Sequence, residues 1–243
     1  MEPTTNLPTP KCALAIGAHP DDIEFGCGAT LAKWAANGCR LHHLVCTDGS
    51  KGSWDPNADL GRLVAVRQEE QRAASRALGG HGDVTFLGWP DGELEAGLRQ
   101  RWQVAYWIRK VRPDVVLGHD PWRRYRLHPD HRSAGFLLTD GVVAARDPHF
   151  FPEQELTPHR PGALLLFEAE EIDHVEDVAT FAEAKVTALL AHRSQLRSTM
   201  NIPDPGAEGE INRFRSRIME ELAEHGSRAG LAAAEGFKLL TDL

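Results

Sequence analysis

Short apolar runs of strand length alternate along this chain with longer segments of helical period, and that alternation restricts the fold more than any other feature. Cys12 to Ile16 reads as a first buried strand and Leu41 to Cys46 as a second. Val84 to Leu87, Val115 to Leu117 and Ala163 to Phe167 read as a third, fourth and fifth. Thr30 to Asn37 lies on a helix that Gly38 ends, as glycine often does. Leu60 to Leu78 carries Leu63, Val66, Ala73 and Ala77 at three- and four-residue steps, and Gly79-Gly80 stops it. Further helices are expected over Leu98 to Val111, from about Arg132 to Ala145, over Ala179 to Leu196, and over Asn212 to Glu224. Strands alternating with helices predict one α/β domain over residues 11–243, a Rossmann-like, mostly parallel sheet with helices on both faces. Residues 1–10 read as a flexible N-terminal segment.

The unusual polar segments all begin where a strand ends. Ala18-His19-Pro20-Asp21-Asp22 follows the first strand and Thr47-Asp48-Gly49-Ser50-Lys51 the second. Gly88-Trp89-Pro90-Asp91-Gly92 follows the third, and the stretch from His119 to His131 follows the fourth. Open α/β sheets bind ligands at the carboxyl ends of their strands, near the switch in strand order. These loops should therefore converge on one rim.

Two clusters on that rim carry chemistry: His19-Pro20-Asp21-Asp22, and His128-Pro129-Asp130-His131. Imidazole nitrogen and carboxylate oxygen suit a catalytic zinc site, with three protein ligands and an open position. Such an ion brings the pKa of a bound water to about 7, and a base beside it takes the proton. His19, Asp22 and His131 can supply ligands and Asp21 the base. On pattern alone His128, Asp130, His119 and Asp120 are equally eligible donors.

The paired clusters resemble the two signatures of the LmbE-like, or PIG-L, family of zinc-dependent N-deacetylases. The likeness continues through Gly26-x-Gly28-Ala29-Thr30-Leu31, Arg67-x-x-Glu70, Asp91-Gly92-Glu93-Leu94, Lys185 and His192-x-Ser194-Gln195, so it spans residues 11 to 197. The resemblance implies His19, Asp22 and His131 as ligands to one Zn2+ per chain, although Fe2+ or another divalent metal also suits such donors. It implies Asp21 as general base, His128 as the group that stabilises or protonates the tetrahedral intermediate, and Asp130 as the residue that orients His128. The implied reaction is hydrolysis of an N-acetyl or other N-acyl group from an amino sugar or related conjugate. Where some members carry a tyrosine, two residues before the first histidine of the second signature, this chain has Arg126. Arg126 could bind an oxyanion or an anionic substrate group, and Arg123, Arg124 and Arg132 in the same loop point to a negatively charged substrate.

Plainer readings compete at several positions. The first cluster could merely cap a helix, but that leaves the second unexplained. Gly26-Cys27-Gly28-Ala29 suggests a dinucleotide loop, yet Leu31 stands where the third glycine belongs, so close helix packing is the better account. Arg67 and Glu70 could be an ordinary i, i+3 pair of little worth. Asp48 and Asp91 adjoin glycines in turns, where aspartate is common. The strand-end placement of Asp48 and Asp91 still favours roles in lining the substrate site; Arg67 could equally anchor substrate, Arg126 could bind an anionic group of it, and Trp89 could stack on a sugar ring or serve structure alone.

A net charge of −8 argues against a nucleic-acid partner. No apolar segment is long enough to span a bilayer, and the N-terminus lacks the pattern of a secretory signal. Four cysteines without Cys-x-x-Cys spacing fit small buried hydrophobes in a reduced, cytoplasmic protein. A homo-oligomer is compatible with the sequence, but no helix has an obvious self-pairing seam. The rival functions are a metal-dependent hydrolase of a phosphoester or thiol-conjugate amide, and a non-catalytic metal-containing sugar-binding protein.

Overall fold

Side chains alternate across the strands, so a strand buried on both faces must be apolar at every position, as Cys12–Gly17 is. In the computed structural model, which describes residues 2–243, Cys12, Leu14 and Ile16 enter one core and Ala13 and Ala15 the other. Eight strands form one sheet: β1 (Thr4–Thr5), β2 (Cys12–Gly17), β3 (Arg40–Thr47), β4 (Val84–Trp89), β5 (Val115–His119), β6 (Ala163–Phe167), β7 (His174–Asp177) and β8 (Ala234–Leu240). Their spatial order is β1-β7-β8-β6-β5-β2-β3-β4. Every pairing is parallel except those of β8, which runs antiparallel to β6 and β7.

Among the described residues, six helices cover the sheet: α1 (Asp22–Ala36), α2 (Leu60–Ala77), α3 (Leu98–Val111), α4 (Pro129–Arg146), α5 (Ala182–Leu190) and α6 (Glu208–Ser227). Helices α3 and α4 lend Val104, Ile108, Leu137, Leu138 and Val142 to the first core. Ile23, Leu31 and Trp34 of α1, Ala74 of α2 and Ala188 of α5 fill the second. A further cluster joins α5 to α6 through Val186, Leu189, Phe214, Ile218 and Leu222. The expected α/β architecture, with helices on both faces, is what the chain forms.

Differences lie mostly at the C-terminal side. β7 and β8 carry no clean apolar run, so the sequence gives no strand signal there. β7 buries His174 and Glu176, which pair with each other at 3.0 Å, and β8 is interrupted by Gly236. The expected helix from Ala179 to Leu196 is the shorter α5, followed by a 3-10 turn at Arg193–Gln195. Of the N-terminal segment expected to be flexible, Thr4–Thr5 pairs with β7, and the Leu7 N–H donates to Glu176 Oε1 at 2.7 Å. Backbone pairing of two exposed residues leaves no hydrophobic signature. The Gly26 region sits inside α1, and a Cβ on Gly26 would lie within 2.7 Å of three ring atoms of Phe167. Glycine there serves close packing of α1 on β6.

Candidate metal centre

The chain leaves β2, builds β3 and β4 on one side, then returns to lay β5 on the other side of β2. The switch in strand order thus falls between β2 and β5, where crevices form. His19 to Asp22 leave the end of β2, and His119 ends β5. The second cluster begins α4, with His128 at the N-cap and Pro129 in the first turn, where its fixed φ and missing N–H cost nothing.

Three donors meet at this point. His19 Nδ1 lies 3.3 Å from Asp22 Oδ2, His131 Nε2 lies 3.2 Å from Asp22 Oδ1, and the two ring nitrogens are 3.2 Å apart. Bonds of about 2.0–2.1 Å in a tetrahedron set neighbouring donors about 3.3–3.4 Å apart, and each of these separations is of that size, the two imidazoles being measured to different oxygens of Asp22. Of the other eligible donors, His119 directs Nε2 at Asp22 Oδ2, 3.2 Å away, and Nδ1 at Glu168 Oε2, 3.1 Å away. Burial opposes a charge on that ring, but the Asp22 and Glu168 carboxylates raise its pKa. His119 therefore steadies the Asp22 carboxylate from behind. Asp120 is spent on the loop, accepting from the Trp122 and Glu170 N–H groups.

The outward Nε2 of His19 meets two carboxylates, Asp130 Oδ2 at 3.1 Å and Asp91 Oδ1 at 3.2 Å. A ligating histidine held this way by its second nitrogen is a recurring arrangement around metals. Burial disfavours charge on His19, but Asp130, Asp22 and Asp91 hold its pKa well above the ordinary value. Asp130 was expected to orient His128; its hydrogen bonds instead go to His19 and to the N–H groups of Gly92 (2.6 Å) and Leu94 (3.1 Å). The reason is helical: Asp130 follows the His128 cap by two residues and so projects from a different side of α4. His128 is exposed, its ring centroid 4.6 Å from that of His19 and 4.8 Å from that of His131. Partial burial and those two rings lower its pKa.

Asp21 is buried beside the triangle at φ 98°, a conformation that L-residues rarely adopt and that costs about 1–3 kcal/mol. The left-handed turn sends successive carboxylates in different directions, Asp22 to the triangle and Asp21 towards Arg67, whose Nη2 is 3.4 Å away. Burial lifts the Asp21 carboxyl to about 6, against the pull of Arg67 and with a push from Asp22.

The expected substrate-lining residues divide. Arg67 is buried and donates to the carbonyls of Gly49 (2.8 Å) and Pro20 (2.6 Å), so it grips two rim loops. Asp91 stands against His19, and Asp48 Oδ1 accepts the Asp91 N–H at 3.1 Å. Arg126 donates to His131 Nδ1 at 3.1 Å and is ion-paired with Glu168. Trp89 is not in the group: its Nε1 donates to Gln103 Oε1 at 2.7 Å and its ring packs in the α3–α4 core. Strands send alternate side chains to opposite faces, and the bulge in the β3–β4 pairing just before Trp89 makes its side unreadable from sequence. The basic loop is also less free than its composition suggested. Glu170 takes Arg124, Glu168 takes Arg126, and the Glu168 and Arg126 carbonyls accept from Arg123 and Arg132.

Donors gathered on one point with a carboxyl beside them, at the switch of a parallel sheet, define the class of metal-assisted hydrolases. The chain belongs to the PIG-L family, described as GlcNAc-PI de-N-acetylase, whose model matches residues 14–142. That family consists of metal-dependent deacetylases, hydrolases of amide C–N bonds. The diacetylchitobiose deacetylase of Thermococcus kodakarensis is 35% identical over 188 residues, covering 76% of this chain and 70% of the relative. The 1D-myo-inositol 2-acetamido-2-deoxy-α-D-glucopyranoside deacetylase of Streptomyces avermitilis is 33% identical over 166 residues, covering 58% of this chain and 55% of the relative. Among solved structures, N,N'-diacetylchitobiose deacetylase from Pyrococcus horikoshii, complexed with its inhibitor MPG, superposes with a TM-score of 0.85 at 28% identity, covering 96% of this chain and 84% of that one. Among the described residues, no helix is long and apolar enough to cross a membrane.

Proposed function

We propose that this chain removes an acetyl or related acyl group from the nitrogen of an amino sugar, using one divalent cation held by His19, Asp22 and His131. The observation that carries the reading is the approach of those donors, the two ring nitrogens 3.2 Å apart and each within 3.2 to 3.3 Å of one Asp22 oxygen, beside the buried Asp21. Zinc suits the donor set, and ferrous iron does too. When bound, the cation would polarise the amide carbonyl and acidify a water molecule.

The remaining work falls to side chains. Asp21 takes a proton from the attacking water at its carboxylate and returns it to the departing amine; a carboxyl lifted to about 6 is suited to both steps near neutrality. His128, kept uncharged near neutral pH, offers an N–H to the carbonyl oxygen as negative charge gathers there. Asp130 accepts from His19 Nε2, which leaves the Nδ1 lone pair free to face the triangle. Asp91 and Arg126 stand against the outer nitrogens of His19 and His131 and help to hold those rings. Both named relatives act on a 2-acetamido-2-deoxyglucose unit, which favours that sugar as the recognised group. Four free, buried cysteines support a reduced, cytoplasmic location.

The test is acetate release from N,N'-diacetylchitobiose, N-acetylglucosaminyl-inositol and free N-acetylglucosamine, after chelation and after re-addition of zinc or ferrous iron. Acetate should appear only in the metal-loaded samples. Loaded protein that releases none from any N-acetylated sugar would refute the proposal.

A further inference from the structure

The Pro20–Asp21 peptide is held at both edges by one helix. Its carbonyl oxygen accepts from Arg67 Nη2 at 2.6 Å, and its N–H donates to Gln71 Oε1 at 2.9 Å. Arg67 and Gln71 are four residues apart on α2 and so share a face. Gln71 is fully buried, and its Nε2 donates to Glu24 Oε1 at 2.6 Å. Both partners demand the same orientation of the side-chain amide. A backbone N–H only donates, so Gln71 must offer it oxygen, which leaves the amide nitrogen to donate to Glu24. Glu24 is itself fully buried, with His192 Nε2 at 3.3 Å and His43 Nδ1 at 3.8 Å. A continuous buried chain therefore runs from His192 through Glu24 and Gln71 to the one peptide that sets the φ of Asp21.

That φ of 98° decides where the Asp21 carboxyl points relative to Asp22. Left to itself the backbone would relax towards negative φ, swinging one of two adjacent carboxylates away from its task. We propose that Gln71, oriented by Glu24, is a positioning residue for catalysis. It pins the Pro20–Asp21 peptide so that Asp21 faces the reacting water while Asp22 faces the cation. This rests on the reading of Asp21 as the general base.

The experiment compares metal-loaded Gln71→Met, Gln71→Glu, the exchange Gln71→Glu with Glu24→Gln, and Asp21→Asn. The substrate is the N-acetylated sugar turned over fastest in the panel above. Gln71→Met keeps the length of the side chain and loses the acceptor. It should lower kcat about 10- to 100-fold, the scale for displacing a catalytic group by an ångström, with KM and metal stoichiometry unchanged. Gln71→Glu sets two buried carboxylates together and should lower kcat as well. The exchange restores every donor and acceptor in the chain and should recover kcat to within about threefold of the parent. An unchanged kcat in Gln71→Met overturns the inference, as does a loss that tracks rising KM or falling metal content. If Gln71→Met does not fold, the exchange decides: recovery supports the inference and no recovery overturns it. Asp21→Asn separates the two claims. Full turnover there sinks the Asp21 reading itself, whereas inactive Asp21→Asn beside normal Gln71→Met sinks only the positioning role.

Discussion

Replacing Asp130 by asparagine changes one atom and should cost this protein its grip on metal before it costs anything else. The carboxylate accepts from Gly92 N–H, Leu94 N–H and His19 Nε2, at 2.6, 3.1 and 3.1 Å. Three donors converge on it, and an asparagine has a single acceptor oxygen. Gly92 N–H and His19 Nε2 share Oδ2 and Leu94 N–H takes Oδ1, so an NH2 at the Oδ1 position meets only Leu94, whereas one at the Oδ2 position meets both of the others. Each buried donor left without a partner costs about 1–3 kcal/mol, and the protein relaxes at whichever place is cheapest. Meeting Leu94 alone is the cheapest, and His19 Nε2 then faces a neutral amide oxygen, with Asp91 Oδ1 at 3.2 Å as its remaining carboxylate. The imidazole would then keep one carboxylate where it had two, and its orientation and basicity as a ligand weaken. Removing such an outer partner typically lowers metal affinity 10- to 100-fold, about 1.4–2.8 kcal/mol at the metal. Competition with a chromophoric chelator would read this directly for Zn2+, alongside Tm of the metal-free proteins to record the folding cost. Unchanged affinity in a folded Asp130→Asn protein would refute the role assigned to that contact.

Other expectations are simpler. Asp21→Asn should keep one metal per chain by elemental analysis and lose at least about 100-fold in kcat, the scale of one general base; retained turnover would remove Asp21 from the reaction. Gly26→Ala should destabilise by about 1–3 kcal/mol, the usual penalty for overpacking, because the added methyl meets the Phe167 ring. Calorimetry showing no fall in Tm would mean that α1 can shift off β6. Glu168 is lowered to about 2: burial opposes its charge, but His119 and Arg126 outweigh it. Its stabilising share is thus complete above its ordinary 4.5 and is lost as pH falls from there towards 2. Glu168→Gln should accordingly flatten the drop in Tm between pH 5 and 3, and an identical slope in both proteins would contradict the pairing.

How much was legible follows from what each feature leaves in the chain. β2, β5 and β6 are buried on both faces and therefore write continuous apolar runs. β7 and β8 bury Glu176 and Glu235 by pairing them with Lys33 and Lys185, charges that cancel in space but read as surface in sequence. At the site, His19, Asp21 and Asp22 are neighbours in the chain and His131 repeats their chemistry, so the donors could be picked out. What surrounds them could not. Gln71 looks like any polar residue on an amphipathic helix, and its partners lie 47 and 50 residues away. Glu168 gave no signal either, and without it the arginine-rich loop looked unpaired. The resemblance implied that Asp130 orients His128, but residues two apart on a helix project to different sides, and Asp130 meets His19 instead.

A zinc-soaked crystal measured on both sides of the zinc absorption edge tests the ligand set most directly. One anomalous peak per chain is predicted, about 2.0–2.2 Å from His19 Nδ1, an Asp22 carboxylate oxygen and His131 Nε2. A peak bound elsewhere, such as between Asp91 and Asp130, or two peaks sharing these residues, would contradict it.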